Sequence, residues 1–268
     1  MTQISDETET VEVWPTAVVT GAASGIGRAV TMALLRDRWR VLAVDRNAAG
    51  LDQLSAEAGS PGELTARVVD LANVQEIVRI VAALPAECRL RGLVCSAAVG
   101  DNTPFLDVDL DKLRSVLEIN FVSAFALCQA AARRMAADGG GAIVNISSVS
   151  GLRANAGRST YGSSKAALEM LSKIMALELA PLKVRVNTVA PGPTLTAMAA
   201  ALHVGPERNR LLRAVPQGRY GAPEEIAEGV AFLLDARRSG YVTGHTLCVD
   251  GGMFAAGAFE PRLGGEAA

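Results

Sequence analysis

Aromatic side chains are scarce in this 268-residue chain, 4% of it, and there are only two histidines, His203 and His245. Neither joins a cluster with ligand spacing, so no zinc centre and no other metal site is expected. The four cysteines, Cys88, Cys95, Cys128 and Cys248, show no CxxC spacing. They read as free thiols in a reducing compartment, not as a disulfide frame. No block of lysine or arginine occurs and the net charge is −2, which gives nucleic acid no basic footprint. No apolar run approaches the roughly 18 residues that a bilayer span asks for, so no membrane partner is expected. The first fourteen residues hold Asp6, Glu7, Glu9 and Glu12 and no basic residue, unlike a secretory leader. The expectation is a cytoplasmic protein with a loose acidic arm over residues 1–13.

What is present is apolar content from small residues. Half of the chain is hydrophobic, enough for one sizeable core. Short apolar runs alternate with helix-period stretches. TAVVT (16–20), RVLAV (40–44), LTARVV (64–69), LRGLVC (90–95), AIVNIS (142–147), VRVNTV (184–189) and TLCVD (246–250) read as strands. Helical patterns lie between them at about 48–58, 73–84, 110–137, 159–180 and 223–234, with one after the first strand. Alternation of this kind, with continuous rather than alternating apolar strands, predicts an α/β fold. The sheet should be parallel and doubly wound, with about seven strands and helices on both faces. Nothing marks a second domain. One domain is expected over 14–253, with a helical substrate lid at about 194–219 and a tail over 254–268.

The first strand runs into TGAASGIG, Thr20 to Gly27. Glycines at 21, 25 and 27 allow a tight turn and a close approach of backbone to a ligand, and the helix that follows offers its N-terminal N–H groups to a phosphate. The GxxxGxG spacing differs from the commoner GxGxxG, and no lysine follows to make a phosphate loop. Asp45 ends the second strand, 18 residues after Gly27. That is near the distance at which an acid meets a ribose 2′-hydroxyl. A carboxylate there repels a 2′-phosphate and favours NAD over NADP. Arg46 pulls the other way, and Ser24 brings no positive charge to the loop.

In STYGSSKAALEML (159–171), Tyr161 and Lys165 stand four apart and share a helix face with Leu168, Ser172, Met175 and Leu179. The bland alternative is a tyrosine at a helix start and a lysine snorkelling to water. Asn120 interrupts the apolar stripe Leu113, Val116, Leu117, Phe121, Ala124. A buried amide needs partners, and satisfaction by backbone alone would explain it.

Taken together, TGAASGIG, Asp45, Asp70-Leu71, Asn120, NISS (145–148), Tyr161 with Lys165, NTVAPGPTLT (187–196) and VDGG (249–252) resemble the short-chain dehydrogenase/reductase family over about 14–253. The resemblance implies an oxidoreductase that interconverts a secondary alcohol and a ketone with NAD. Tyr161 would be the acid/base, Lys165 would lower its pKa and hold the nicotinamide ribose, and Ser148 would bind the substrate oxygen. Asn120 would anchor a water in a proton relay. The cofactor would meet Gly21, Ser24, Gly25, Ile26, Gly27, Asp45, Arg46, Asp70 and Leu71. It would also meet Ser96, Ala97 and Ala98, where the family usually has Asn-Ala-Gly, and Tyr161, Lys165, Pro191, Gly192, Thr194 and Thr196. A homotetramer is implied as well.

Pocket walls are expected from Val99 to Asn102 and Ser150 to Asn155, with Arg153 or Arg158. Arg208, Arg210 and Arg213 are expected to be solvated. Small and polar walls suit a small polar alcohol, a polyol or a cyclic diol. An NADP-dependent carbonyl reductase and a non-catalytic dinucleotide sensor are the alternatives, and retention of both Tyr161 and Lys165 speaks against the sensor.

Overall fold

The computed structural model describes residues 14–59 and 64–256; the acidic arm and most of the proposed tail lie outside them. In chain order the elements are β1 (Thr16–Thr20), α1 (Gly25–Arg36), β2 (Arg40–Asp45), α2 (Ala48–Ala58), β3 (Leu64–Val68), α3 (Val74–Ala82) and β4 (Leu90–Cys95). Then follow α4 (Leu110–Leu117), a π-helical turn (Glu118–Val122), α5 (Ser123–Ala137), β5 (Gly141–Ile146), α6 (Ser159–Leu179) and β6 (Val184–Pro191). The chain continues with α7 (Ala197–Leu202), α8 (Gly205–Ala214), α9 (Pro223–Leu234), α10 (Ala236–Ser239) and β7 (Thr246–Val249).

All seven strands are parallel, in the order β3-β2-β1-β4-β5-β6-β7. The continuous apolar runs are explained by cover on both faces. Val19, Val41, Val94 and Val144 pack under α1, α2 and α9 through Val30, Leu34, Leu51, Leu54 and Ile226. Val18, Leu42, Leu93 and Ile143 pack under α3, α5 and α6 through Ile77, Leu127, Ala131 and Leu168. Each such fully buried Val, Leu or Ile contributes about 1.5–3 kcal/mol. The exception is β3, whose residues after Leu64 are exposed. It is an edge strand paired only with β2, and Thr65 and Arg67 keep it soluble at that edge.

Two departures from the sequence pattern matter for the site. The single helix expected at 110–137 contains a π turn at 118–122, and Asn120 sits in it, 1% exposed. The whole stretch is 28 residues long, and an 18-residue window within it has the mean hydropathy of a bilayer span. Its inward stripe of Ala124, Leu127, Cys128, Ala131 and Met135 is nevertheless buried in the core. The helical insert divides into α7 and α8. α7 starts at Thr196, whose Oγ1 accepts from Ala199 N at 3.1 Å, an N-cap of the kind threonine favours.

Candidate active site

Thr20 lies opposite Val44 on one side and Cys95 on the other. The glycine loop, Asp45 and the 96–98 segment therefore leave the sheet side by side. Open parallel sheets bind ligands in such a crevice, beyond the strand C-termini where the strand order diverges. A cavity of about 420 Å³ opens there and extends from Asp45 to Tyr161 and beneath the lid. Gly21, Ser24, Gly25, Ile26, Gly27, Asp45, Arg46, Asp70, Leu71, Ser96, Ala97, Ala98, Tyr161, Lys165, Pro191, Gly192, Thr194 and Thr196 all line it, as does Ser148; Asn120 does not.

At the Asp45 end the glycine loop brings main chain to the wall beside Ile26, Asp45, Arg46, Asn47, Asp70 and Leu71. Gly21 adopts φ +69°, and a Cβ there would stand 2.9 Å from the Ala97 backbone. A Cβ on Gly27 would overlap the Gly21 carbonyl. Ser24 precedes α1 without a side-chain cap, which leaves the first-turn N–H groups for a ligand. The Asp45 carboxylate accepts from Ala23 N at 3.0 Å and Asn47 N at 2.9 Å. It braces the glycine loop against β2. Asp70 accepts from Ala72 N at 3.0 Å.

Thr20, which sequence reasoning left out of the site, explains how Ser96-Ala97-Ala98 can replace the familiar residues. Its Oγ1 accepts from Ser96 N at 3.1 Å and Ala97 N at 3.3 Å. The segment is held by its main chain, so its side chains can vary.

At the other end α6 carries Tyr161 and Lys165 into the cavity. Lys165 is 2% exposed and donates from Nζ to Ile146 O at 2.8 Å, so it does not snorkel. Burial lowers its pKa to about 8, against an upward pull from Cys95 and Glu169. Nζ lies 5.8 Å from the centre of the Tyr161 ring. The phenol is not lowered as the sequence reading expects. Burial raises its pKa, and a hydrogen bond with Ser148 and the charge of Arg158 offset this only in part. Arg158 Cζ lies at the same 5.8 Å from the ring centre, and it is the charge of Arg158 that draws the ligand-free phenol's pKa down.

The Asn120 amide is fully engaged with protein. Oδ1 accepts from Val99 N at 2.8 Å, and Nδ2 donates to Val99 O and to Ser164 Oγ, both at 3.0 Å. It clamps the loop after β4 to α6. Ser147, the neighbour of Ser148, lines the cavity with its Oγ buried and without a hydrogen-bond partner.

Beyond Tyr161 the wall comes from Ser150, Asn155 and Arg158 and, in the lid, from Met198, Leu202, His203 and Leu211, with Met253 from the end of the domain. Arg153 does not reach the cavity and donates instead to Met253 O at 2.8 Å. Of 99–102 only Val99 lines it. Arg208, Arg210 and Arg213 are exposed and do not line it; Arg208 stacks over the Tyr220 ring at 4.7 Å and lines an adjoining cavity that shares Ser24, Gly25 and Thr196 with it. Arg158 donates to Asp101 O at 3.1 Å and meets His203 Nε2 at 3.0 Å. A guanidinium only donates, so Nε2 accepts and the ring hydrogen belongs on Nδ1, 3.2 Å from Tyr220 Oη. Sequence reasoning missed His203, Met253 and Asn47, all on the cavity wall.

These walls fit a nicotinamide dinucleotide. The bare first turn of α1 suits the diphosphate. Lys165 gives one N–H to protein and keeps two, and the Ser147 hydroxyl lacks a partner. Residues 21–254 match the family model described as enoyl-(acyl carrier protein) reductase. The chain is 40% identical over 240 residues to D-erythrulose reductase of Gallus gallus, covering 88% of this chain and 94% of that protein. It is 39% identical over 241 residues to L-xylulose reductase of Homo sapiens, covering 89% and 96%. A solved structure from Beutenbergia cavernae, a proposed NAD(P)-dependent gluconate 5-dehydrogenase with NADP bound at low occupancy, superposes with a TM-score of 0.85. It is 35% identical, with 90% of this chain and 97% of that chain covered.

Proposed function

Because this chain belongs to the short-chain dehydrogenase/reductase family and is a hydride-transferring oxidoreductase of CH–OH groups, we propose that it interconverts a small polyol and its ketose with Tyr161 as acid/base. The observation that carries this reading is the Tyr161 phenol on one cavity wall with Ser148 and beside the buried Lys165. The likeness to erythrulose and xylulose reductases supports a polyhydroxylated substrate.

The dinucleotide, when bound, supplies or accepts the hydride. Tyr161 holds at Oη the proton that the reduced oxygen takes up, a task worth about 10²–10⁴-fold for a well-placed acid. A phenol kept above its ordinary pKa stays protonated at neutral pH, which suits reduction. Ser148 directs its hydroxyl at the same oxygen and stabilises charge developing there. Lys165 offers its two spare N–H donors to ribose hydroxyls. The Asn120 amide positions Val99 and Ser164; a proton relay at this residue would run over its backbone.

NAD is the proposed cofactor, on the strength of the Asp45 carboxylate in the cavity wall. The NADP reading is supported by the neighbouring Arg46 and by the dinucleotide in the Beutenbergia structure. Exposed Phe125, Met170, Ile174 and Leu177 on α5 and α6 support a homotetramer built on those helices. The cysteines, free among the described residues, support a cytoplasmic setting.

The test is a screen of tetruloses to hexuloses and their polyols with purified protein, following reduced-nicotinamide absorbance with each dinucleotide. Ketose reduction with a higher kcat/KM for NADH than for NADPH is expected. No turnover of any ketose, polyol or cyclic diol by protein that still binds dinucleotide would overturn the reading.

A further inference from the structure

Charge is divided along the cavity. The carboxylates in its wall, Asp45 and Asp70, stand at the ends of β2 and β3. Beyond Tyr161 the wall carries Arg158 and His203. Arg158 is half-buried, its guanidinium carbon 5.8 Å from the centre of the Tyr161 ring. A guanidinium stays charged at all working pH, and a partly buried charge is costly unless paired. No carboxylate among the described residues pairs with Arg158. Asp101 offers it only a backbone carbonyl. The Asp101 carboxylate is committed elsewhere, accepting from Thr103 Oγ1 at 2.8 Å and Thr160 Oγ1 at 2.7 Å. Burial alone would raise the Asp101 pKa, yet these bonds and the Asn102 backbone hold it below the usual range.

The Asp101 carbonyl and His203 Nε2 take one hydrogen each from the two terminal nitrogens of Arg158. That fixes the plane of the fork and leaves three of its five N–H donors, including Nε–H. A planar fork of this kind matches a carboxylate. Arg208, Arg210 and Arg213 do not line this cavity, so among the described residues Arg158 is the guanidinium on the wall beyond Tyr161.

We propose that Arg158 is a specificity-determining residue that binds a carboxylate on the substrate, so that the preferred pair is a polyhydroxy acid and its keto acid. The closeness of Arg158 to the Tyr161 ring puts the acid group a short carbon chain from the carbinol carbon that reacts. This deepens the polyol–ketose reading above and rests on it.

The test compares matched pairs that differ only in carboxylate against hydroxymethyl, such as 5-keto-D-gluconate against L-sorbose, in a series from tetruloses to hexuloses. Wild type, Arg158→Gln and Arg158→Lys are assayed with the same dinucleotide. Wild type is expected to favour the acid by about 10- to 100-fold in kcat/KM, the scale of a charged hydrogen bond. Arg158→Gln should bring that ratio close to one, chiefly through KM for the acid, and Arg158→Lys should restore part of it. If Arg158 merely props the lid through His203, Gln will slow both members of each pair equally and leave the ratio intact, which overturns the proposal. Equal use of both members by wild type also overturns it. Turnover of neither member of any pair defeats instead the polyol–ketose reading on which it rests.

Discussion

At the Asp45 end of the cavity, the glycine loop and the 96–98 segment are set by main-chain contacts. Gly21 and Gly27 keep side chains out, Thr20 grips the Ser96 and Ala97 amides, and Asp45 spends its carboxylate on loop N–H groups. Beyond Tyr161, shape comes from side chains, with Asn155 and Arg158 from the loop before α6 and Met198, Leu202 and His203 from the lid. A backbone-built end can hold the same dinucleotide under many substitutions, as the Ser96-Ala97-Ala98 segment illustrates. A side-chain-built end changes with each replacement. Tyr161, Lys165 and Ser148 stand where the two meet, so chemistry can stay constant while the substrate varies.

The comparison can be broken first at that meeting point. Ser148→Ala should lower kcat by about 10²–10³-fold, as for loss of a donor to a developing oxyanion, with dinucleotide affinity changed little. A parallel loss of dinucleotide affinity would mean that Ser148 belongs to the backbone-built end.

A smaller effect is expected from Gly21→Ala. The left-handed φ costs a non-glycine residue about 1–3 kcal/mol, and the new Cβ meets the Ala97 backbone at 2.9 Å. Thermal unfolding should fall by several degrees, since about 1 kcal/mol moves Tm by roughly 2–4 °C at this size. An unchanged Tm with full dinucleotide affinity would show that the loop tolerates side chains, and the contrast between the ends would fail.

The smallest effect concerns Lys165. Its folded pKa of about 8 lies below its ordinary value of 10.5. Between those values the unfolded chain binds more protons than the folded one, so this group's contribution to stability improves as pH rises. Lys165→Met should therefore stabilise the dinucleotide-free protein near pH 7, and the advantage should shrink from about pH 8 to about pH 10.5. Melting curves of both proteins across that range check it; a constant difference would show that Lys165 is not held at a depressed pKa.

The dinucleotide end was largely legible in the sequence because local rules build it. A buried strand, a glycine-rich turn and a helix recur over a few residues, and Asp45 follows at a fixed distance. The central strands were legible from their apolar runs for the same reason. The π turn around Asn120 was not, since one widened turn leaves the apolar period of 110–137 almost unaltered. Nor was the Arg158–His203 contact, which joins residues 45 apart through the fold of the lid. The pairing of Tyr161 with Lys165 could be read as adjacency on a helix face. That Nζ would turn to Ile146 O, a carbonyl 19 residues earlier, could not, nor could the burial that raises the phenol's pKa.

The central claim is that Tyr161 performs the proton transfer at a site whose dinucleotide end is independent of it. The direct measurement is dinucleotide affinity and steady-state turnover on one preparation of Tyr161→Phe beside wild type, with the best substrate of the screen. The account predicts a dinucleotide Kd close to that of wild type and a kcat lower by about 10²–10⁴-fold. Full turnover in the Phe variant would contradict it.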